Sequence, residues 1–336
     1  MAFVAPSDYS VADLSKWKVT LPVTELDYVG SGSSTSAMEV LPGGSPYDIN
    51  GGYFDTDYFY YDTADDSIVF RTPLDGGATT PNTSYVRTEL RELYGWVPGD
   101  NDGDANWPPT GNHVLSGQCK VEQYWEDDPQ TVIGQIHAKD SSKALLKLQW
   151  DGPTNPVRAI INEDPSSGNP FSLTFGTPGT NTFNYTIQLQ DGVLTITVDG
   201  VTHSVEFGQG NMSPDWNDHV YYFKAGSYPQ ASKNGGGLFL VRFYSINVLH
   251  GAAQPGSIAV DVFSGDYASP VRHNGSIDYK IMPSNWGTPV IQGTTTSDGT
   301  NPVVFSSTSL TPGNAYMVAI QKQNAGYWIV EDRTAS

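Results

Sequence analysis

One cysteine, Cys119, stands in a chain of 336 residues. A lone cysteine excludes an intrachain disulfide and any zinc site built on thiolates. It sits in an alternating stretch and reads as a small buried side chain. Cations are also scarce: 17 Lys and Arg face 36 Asp and Glu, for a formal net charge of −19. That balance argues against nucleic acid as a partner. It repels other polyanions too, so an anionic polymer needs cations clustered within about a Debye length of 8–10 Å. No apolar run is long enough to span a bilayer, and membrane insertion is not expected. The first ten residues, MAFVAPSDYS, lack a basic n-region and a long apolar h-region, so they do not read as a signal peptide. No helix longer than about two turns is expected. G-x-S-x-G and H-E-x-x-H motifs are both missing. Nor does one strand face carry the two close carboxylates of a glycoside hydrolase. Glu122 and Glu126 share a parity, but a turn is expected between them.

Turns and strands fill the space these absences leave. The chain has 35 Gly, 23 Pro and 19 Tyr, with 38% hydrophobic and 16% charged residues. Such a composition describes a globular protein of many turns joined by β-rich segments. Strands are expected over 53–62 and 67–74, joined by TADD, and over 113–125 and 130–139, joined by EDDP. A further hairpin is expected over 144–152 and 156–162. Asp191-Gly192 and Asp199-Gly200 are two-residue hairpin signals around the alternating VLTITV. Residues 23–52 and 95–112 read as long loops. The second contains Asp100, Asp102 and Asp104, spaced like part of a calcium loop but without the closing glutamate, so no metal site is expected. At AAQPG, residues 252–256, the pattern breaks. Beyond it the text is rich in Ser, Thr, Gly and Asn, with short strands such as SIAVDVF, SIDYKIM, PVVFSS, AYMVAIQ and a final YWIVED. The expected architecture is all-β: a sandwich or jelly roll over 1–252 and a small β domain over 253–336.

Three stretches carry unusual polar faces. In YYFKAGSYPQ, Tyr222, Lys224, Gly226, Tyr228 and Gln230 share one side of a strand. Arg87, Glu89 and Arg91 share one side of SYVRTELREL. Gln135 and His137 share one side of TVIGQIHAK, about 7 Å apart. An ordinary solvated face carries Thr, Ser, Lys and Glu in bulk. Cations, an amide, an imidazole and a phenol together point instead to one cleft shared by three neighbouring strands. The bland readings are a surface charge ladder, a structural histidine and a phenol capping the core. Trp125, Trp150 and Trp216 are taken as core filling. The glycine between Lys224 and Tyr228 leaves room for a neighbouring backbone or a ligand.

RTELR at 87–91, QIH at 135–137 and YFKAGSYPQ at 222–230 resemble, in order, the signature segments of alginate lyases of polysaccharide lyase family 7. LSKWKVTLP at 14–22 resembles the start of their catalytic domains, so the likeness spans roughly residues 10–250. Ser227 and Pro229 fall where that family varies. The resemblance implies a β-jelly roll with a concave substrate cleft and β-elimination on a 1,4-linked polyuronate without a metal or other cofactor. The reaction removes the C5 proton beside a carboxylate and expels the C4 oxygen, so the carboxylate must be neutralised as the enolate-like dianion forms. Arg87, Gln135 and His137 are the types for that task, with Tyr228 as proton donor to the leaving oxygen and His137 as acceptor of the C5 proton of guluronate. For mannuronate, cations near Tyr228 would lower its pKa so that it performs both transfers. Glu89, Arg91, Lys147, Tyr222, Lys224 and Gln230 are the expected substrate-binding and arginine-holding residues. Ile136 in QIH implies acceptance of guluronate-containing blocks. The resemblance implies an acidic polysaccharide partner and an extracellular or secreted enzyme. The C-terminal part looks like a small accessory β domain of a virion or cell-surface protein, binding a glycan or another protein. Competing readings are a polyuronate-binding module without catalysis and a lyase for another polyuronate such as glucuronan.

Overall fold

The computed structural model describes residues 3–75, 77–80, 83–232, 236–251, 256–260, 274–283, 288–298, 303–307, 310, 315–322 and 329–334. Two compact units divide the chain, Met1–Gly251 and Ala252–Ser336. The first is a sandwich of two eight-stranded antiparallel sheets. One sheet runs β1 (Phe3–Val4), β4 (Phe59–Asp62), β5 (Ser67–Pro73), β16 (Leu238–Gly251), β7 (Asn112–Gln123), β12 (Phe183–Gln190), β13 (Val193–Val198), β14 (Val201–Glu206). The other runs β11 (Gly168–Thr174), β10 (Arg158–Asp164), β9 (Ala144–Trp150), β8 (Thr131–Ala138), β15 (Tyr221–Pro229), β6 (Thr88–Glu92), β2 (Trp17–Thr24), β3 (Ala37–Val40). This is the jelly-roll β-sandwich expected from the strand and turn pattern.

Period-two alternation places the core. In β13, Leu194, Ile196 and Val198 are buried while Val193, Thr195 and Thr197 are not. Gln190 pairs with Val193 and Val198 with Val201, so Asp191-Gly192 and Asp199-Gly200 are the whole loops. Their φ angles, 47° and 83°, then 45° and 84°, are those of the primed turns that match strand twist. Inner faces of both sheets meet in one core that includes Phe70 and Phe243 from one sheet and Ile136 and Phe223 from the other. Trp150 and Trp216 are fully buried in it, and Trp125 is half-buried beside a smaller cluster. Cys119 is buried, and burial pushes its thiol well up.

Local structure departs from expectation in three places. Only Phe59–Asp62 of the expected 53–62 strand is laddered, because the backbone turns at Asp55, which bridges to Phe59. The 23–52 loop holds a short helix, α1 (Glu25–Val29), and β3. Thr24 caps α1 by accepting from the Asp27 amide at 3.0 Å, and Gly30 ends it at φ 76°. The strand β11 has little apolar alternation to betray it, since it is a mostly exposed edge strand.

In the 95–112 loop a single 3₁₀ turn, Asp102–Asp104, forms instead of a cation cradle. Lys18 binds the Asp102 carboxylate and Lys139 that of Asp104. Among the described residues no cluster of His, Cys, Asp or Glu is placed to hold a metal ion. No described helix is long and apolar enough to cross a membrane.

The second unit pairs β17 (Gly256–Val260) with β20 (Val303–Ser307). A four-stranded sheet runs β19 (Ile291–Asp298), β18 (Asn274–Pro283), β21 (Ala315–Lys322), β22 (Ile329–Thr334). Ile277, Ile281, Phe305, Leu310 and Val318 form its core. The strand β19 was unmarked in sequence because IQGTTTSD is polar and largely exposed. Several sequence features lie partly outside the described residues: 252–255 of the AAQPG break, 261–263 of SIAVDVF, 327–328 of YWIVED, 233–235 of ASKNGGG, and 76 and 81–82 of the loop before Tyr85.

Candidate active site

The three polar stretches lie side by side. The central strand β15 pairs with β6 through Lys224↔Arg91, Ala225↔Leu90 and Gly226↔Glu89. On its other edge it pairs with β8 through Tyr222↔His137 and Lys224↔Gln135. The next strand, β9, sets Lys147 opposite Gln135. Registry therefore aligns Lys147, Gln135, Lys224 and Arg91 in one row across four strands. Burial of the opposite faces holds that register, since a one-residue slip would carry Leu90, Ile136 and Phe223 out of the core.

Above this row lies a cavity of about 830 Å³. All four residues expected to do chemistry line it: Arg87, Gln135, His137 and Tyr228. So do Lys147, Tyr222, Lys224 and Gln230, whereas Glu89 and Arg91 do not. Arg91 departs from the expected direct contact with a uronate. Its guanidinium donates to the Glu92 and Ala105 carbonyls and to Asn106 Oδ1, and lies 4.3 Å from the Tyr222 ring centre. It supports the wall instead of lining it.

Glu89 is the electrostatic hub beneath the cavity. It is 1% exposed. Its carboxylate accepts from Arg87 at 3.0 Å, from Lys224 at 2.5 Å and from the Gln135 amide. Burial alone would raise its pKa, but Lys224 and then Arg87 hold it below the usual carboxylate value. Lys224 moves the other way: burial, with Arg87 beside it, lowers its pKa to about 8. One carboxylate thus orients three donors at the cavity floor.

The two proton-transfer candidates differ in state. His137 Nδ1 lies 2.9 Å from the Ala138 carbonyl, which can only accept, so Nδ1 carries the proton and Nε2 keeps a lone pair. Burial, then Lys224, lowers the imidazole pKa to about 4, so it is neutral near pH 7. Its ring stacks on Tyr222 at 5.4 Å and 15°. Tyr228 lies under the Arg87 guanidinium, 3.8 Å from ring centre to Cζ. Burial raises its pKa more than Arg87 lowers it. The phenol therefore holds its proton. This corrects the expectation that nearby cations drive Tyr228 toward a base, because desolvation outweighs them.

Gly226 has a backbone reason. A Cβ there would lie 2.6 Å from the Thr88 carbonyl and 2.8 Å from Glu89 Cα, and φ is +147°. The close approach is that of the neighbouring strand and not of a ligand. Ile136 points into the core at 0% exposure, so its side chain does not touch the cavity. Further lining residues were missed in sequence, Tyr85, Asp140 and Lys143 among them. Tyr85, whose ring centre is 6.3 Å from that of Tyr228, shares the parity of Arg87, and that parity was its signal. Lys143 lies in the turn before β9 and gave none.

The family model for alginate lyases matches residues 12–250. This chain belongs to the alginate lyase family. It is a polysaccharide lyase, and the match spans the unit that carries the cavity. An alginate lyase from Klebsiella pneumoniae is 27% identical over 304 residues, covering 75% of this chain and 93% of that protein. Among solved structures, the family 7 alginate lyase A1-II′ superposes with a TM-score of 0.61 at 27% identity, covering 74% of this lyase and 99% of that one. The alginate lyase PA1167 from Pseudomonas aeruginosa gives 0.56 at 25% identity, over 71% and 100%. Variants of A1-II′ have been solved with a product, GGG, and with a substrate, GGMG.

Proposed function

We propose that this lyase cleaves alginate by β-elimination within the cavity over β6, β8, β9 and β15, releasing unsaturated oligosaccharides. The observation that carries this reading is the convergence of Arg87, Gln135, His137 and Tyr228 on one cavity. Arg87 and Gln135 present N–H donors to the substrate carboxylate, and Glu89 holds both in place. Neutralising that carboxylate lowers the cost of placing a second negative charge next to it as the C5 proton leaves. His137 Nε2 accepts that proton, and its low pKa keeps the lone pair available. Tyr228 donates its phenolic proton to the departing C4 oxygen, for which its raised pKa suits it. Lys224 adds positive charge at the floor, and Tyr222, Lys147 and Gln230 contribute walls. The protein's own donors supply the stabilisation in this scheme, and no cofactor is invoked.

Guluronate-containing blocks are the proposed substrate. The QIH resemblance at Ile136 supports this, as do the GGG and GGMG complexes of A1-II′. Because Ile136 is buried, its influence would pass through the position of β8. We assign residues 1–252 as the catalytic domain and 253–336 as an accessory domain that binds a glycan or another protein. The proposed setting is extracellular or secreted, where the polysaccharide is met. The acidic surface leaves nucleic acid outside the partner set.

The test is to incubate the protein separately with guluronate-rich, mannuronate-rich and glucuronan polymers. Rising ultraviolet absorbance from unsaturated ends, fastest on guluronate-rich polymer, is expected. Binding without new absorbance would reduce the protein to a polyuronate-binding module. Fastest cleavage of glucuronan would reassign the substrate.

A further inference from the structure

The strands that carry Arg87 and Tyr228 are tied together from the opposite sheet. Thr72 lies in β5 and shares the parity of Ile68 and Phe70, two core residues. It is a polar residue at a core-facing position, fully buried, where valine would fill the same space. Its hydroxyl accepts from the Thr88 backbone N–H at 3.2 Å and donates to the Ser227 carbonyl at 3.3 Å. One proton and two lone pairs allow both bonds at once. Thr88 stands between Arg87 and Glu89 in sequence, and Ser227 immediately precedes Tyr228. A second bond joins the same strands, from Thr88 Oγ1 to the Arg71 carbonyl at 2.8 Å.

An irregularity in β15 explains why a hydroxyl is needed there. Ala225 pairs with Gly134 and Tyr228 with Val132, so three steps along β15 match two along β8. The extra residue is a β-bulge, which bends a strand and re-aims the side chains beyond it. On the other edge, register with β6 ends at Ser227↔Thr88. Arg87 and Tyr228 are each the next residue past that last pair. They project from the open end of the pairing, where the ladder no longer fixes their spacing. The strand β5 packs against the same point: a Cβ on Gly226 would lie 3.0 Å from the Phe70 ring. Thr88 and Ser227 are fully buried, so water cannot take the place of the Thr72 hydroxyl.

Resting on the lyase reading above, we propose that Thr72 is a positioning residue for the elimination, its hydroxyl setting the spacing of Arg87 and Tyr228. It does not line the cavity and acts only through the two backbones it joins. The Arg87–Tyr228 contact of 3.8 Å spans the same two strands. Without the hydroxyl the phenol drifts relative to the carboxylate that Arg87 holds, and proton transfer to the C4 oxygen needs hydrogen-bond reach. Tyr222, Lys224, Gln135 and His137 lie before the bulge, where β15 and β8 keep unbroken register. Their contribution to binding is untouched, so the loss falls on kcat and spares KM.

The experiment measures kcat and KM on alginate for wild type, Thr72→Val, Thr72→Ala and Thr72→Ser. Thr131→Val is the control for loss of a buried hydroxyl, since Thr131 Oγ1 is buried without a described hydrogen-bond partner. Thr72→Val should lower kcat by about tenfold or more with KM within about twofold, and Thr72→Ala should follow it. Thr72→Ser, which keeps the hydroxyl, should stay within about threefold of wild type, as should Thr131→Val. The Ala–Ser pair decides the point if Thr72→Val does not fold. A wild-type kcat in Thr72→Val, an equal fall in Thr72→Ser, or a loss confined to KM overturns the assignment and leaves the lyase reading intact. Wild-type protein that makes no unsaturated product overturns the lyase reading itself. Amide hydrogen exchange then still decides the tie between β6 and β15. The Thr88 N–H should exchange about fivefold or more faster in Thr72→Val, the scale of one buried hydrogen bond, with the Leu90 N–H unchanged. Unchanged Thr88 exchange ends the proposal.

Discussion

The Arg87 guanidinium carbon lies over the Tyr228 ring, 3.8 Å from its centre, while the same side chain donates to Glu89 at 3.0 Å. A cation for a substrate carboxylate and a proton donor for a leaving oxygen are thereby locked together from two strands distant in sequence. Cation–π contact of this kind is worth about 0.5–2 kcal/mol. It fixes the phenol without removing its proton.

Replacing the phenol isolates its chemistry. Tyr228→Phe keeps the ring under Arg87 and should cut turnover at least about a hundredfold, the usual scale of a general acid. Affinity for alginate oligosaccharides should change little. Unsaturated-product formation near the wild-type rate would remove Tyr228 from the reaction.

The acid limb of activity should lie low. His137 has a pKa of about 4, below the ordinary imidazole value near 6.5. The neutral base therefore persists in the free enzyme as pH falls below 6, and kcat/KM should decline only near pH 4. The same shift bears on stability: a depressed folded pKa contributes stability above about pH 6.5 that is lost as pH falls toward 4. Lys224, at about 8, should set an alkaline limb, moved upward in Lys224→Arg. An acid limb between pH 6 and 7 that disappears in His137→Ala would contradict this assignment.

Glu89 should matter for stability as well as rate. Glu89→Ala leaves Arg87 and Lys224 buried without their counter-charge, a loss of about 3–5 kcal/mol by analogy with broken buried ion pairs. Denaturant unfolding measures it. Because the folded pKa of Glu89 is depressed, its contribution is present above about pH 4.3 and fades as pH falls through the folded value. A Glu89→Ala protein as stable as wild type at pH 7 would mean that the cations relax into solvent.

Gly226→Ala should push β15 from β6. The new Cβ meets backbone atoms at 2.6 and 2.8 Å, which cannot rotate away, at a φ that L residues rarely adopt. A loss of about 2 kcal/mol or more is expected, with turnover falling as Arg87 and Tyr228 separate. Thermal unfolding and kcat on alginate are the readouts, and an unchanged melting temperature would show that the strands part without cost.

Much of the molecule was legible before any coordinates. Strict alternation marked the core face of VLTITV, and two Asp-Gly pairs marked hairpins that the φ angles match. The polar sides of RTELR, QIH and YFKAGSYPQ were readable because side-chain direction in a strand follows parity alone. Polar edge strands stayed hidden. The strands β11 and β19 bury too little apolar surface to leave a period-two signature.

Residue types, strand faces and the scarcity of cations are properties of the chain itself, and the sequence by itself determined them. Which cations are paired, which phenol keeps its proton and which arginine turns away from the cavity depend on neighbours dozens of residues distant. Glu89 reaches Gln135 and Lys224 only because β6, β15 and β8 lie side by side in the fold. Charge interactions and desolvation act through space, so only the tertiary structure decided them.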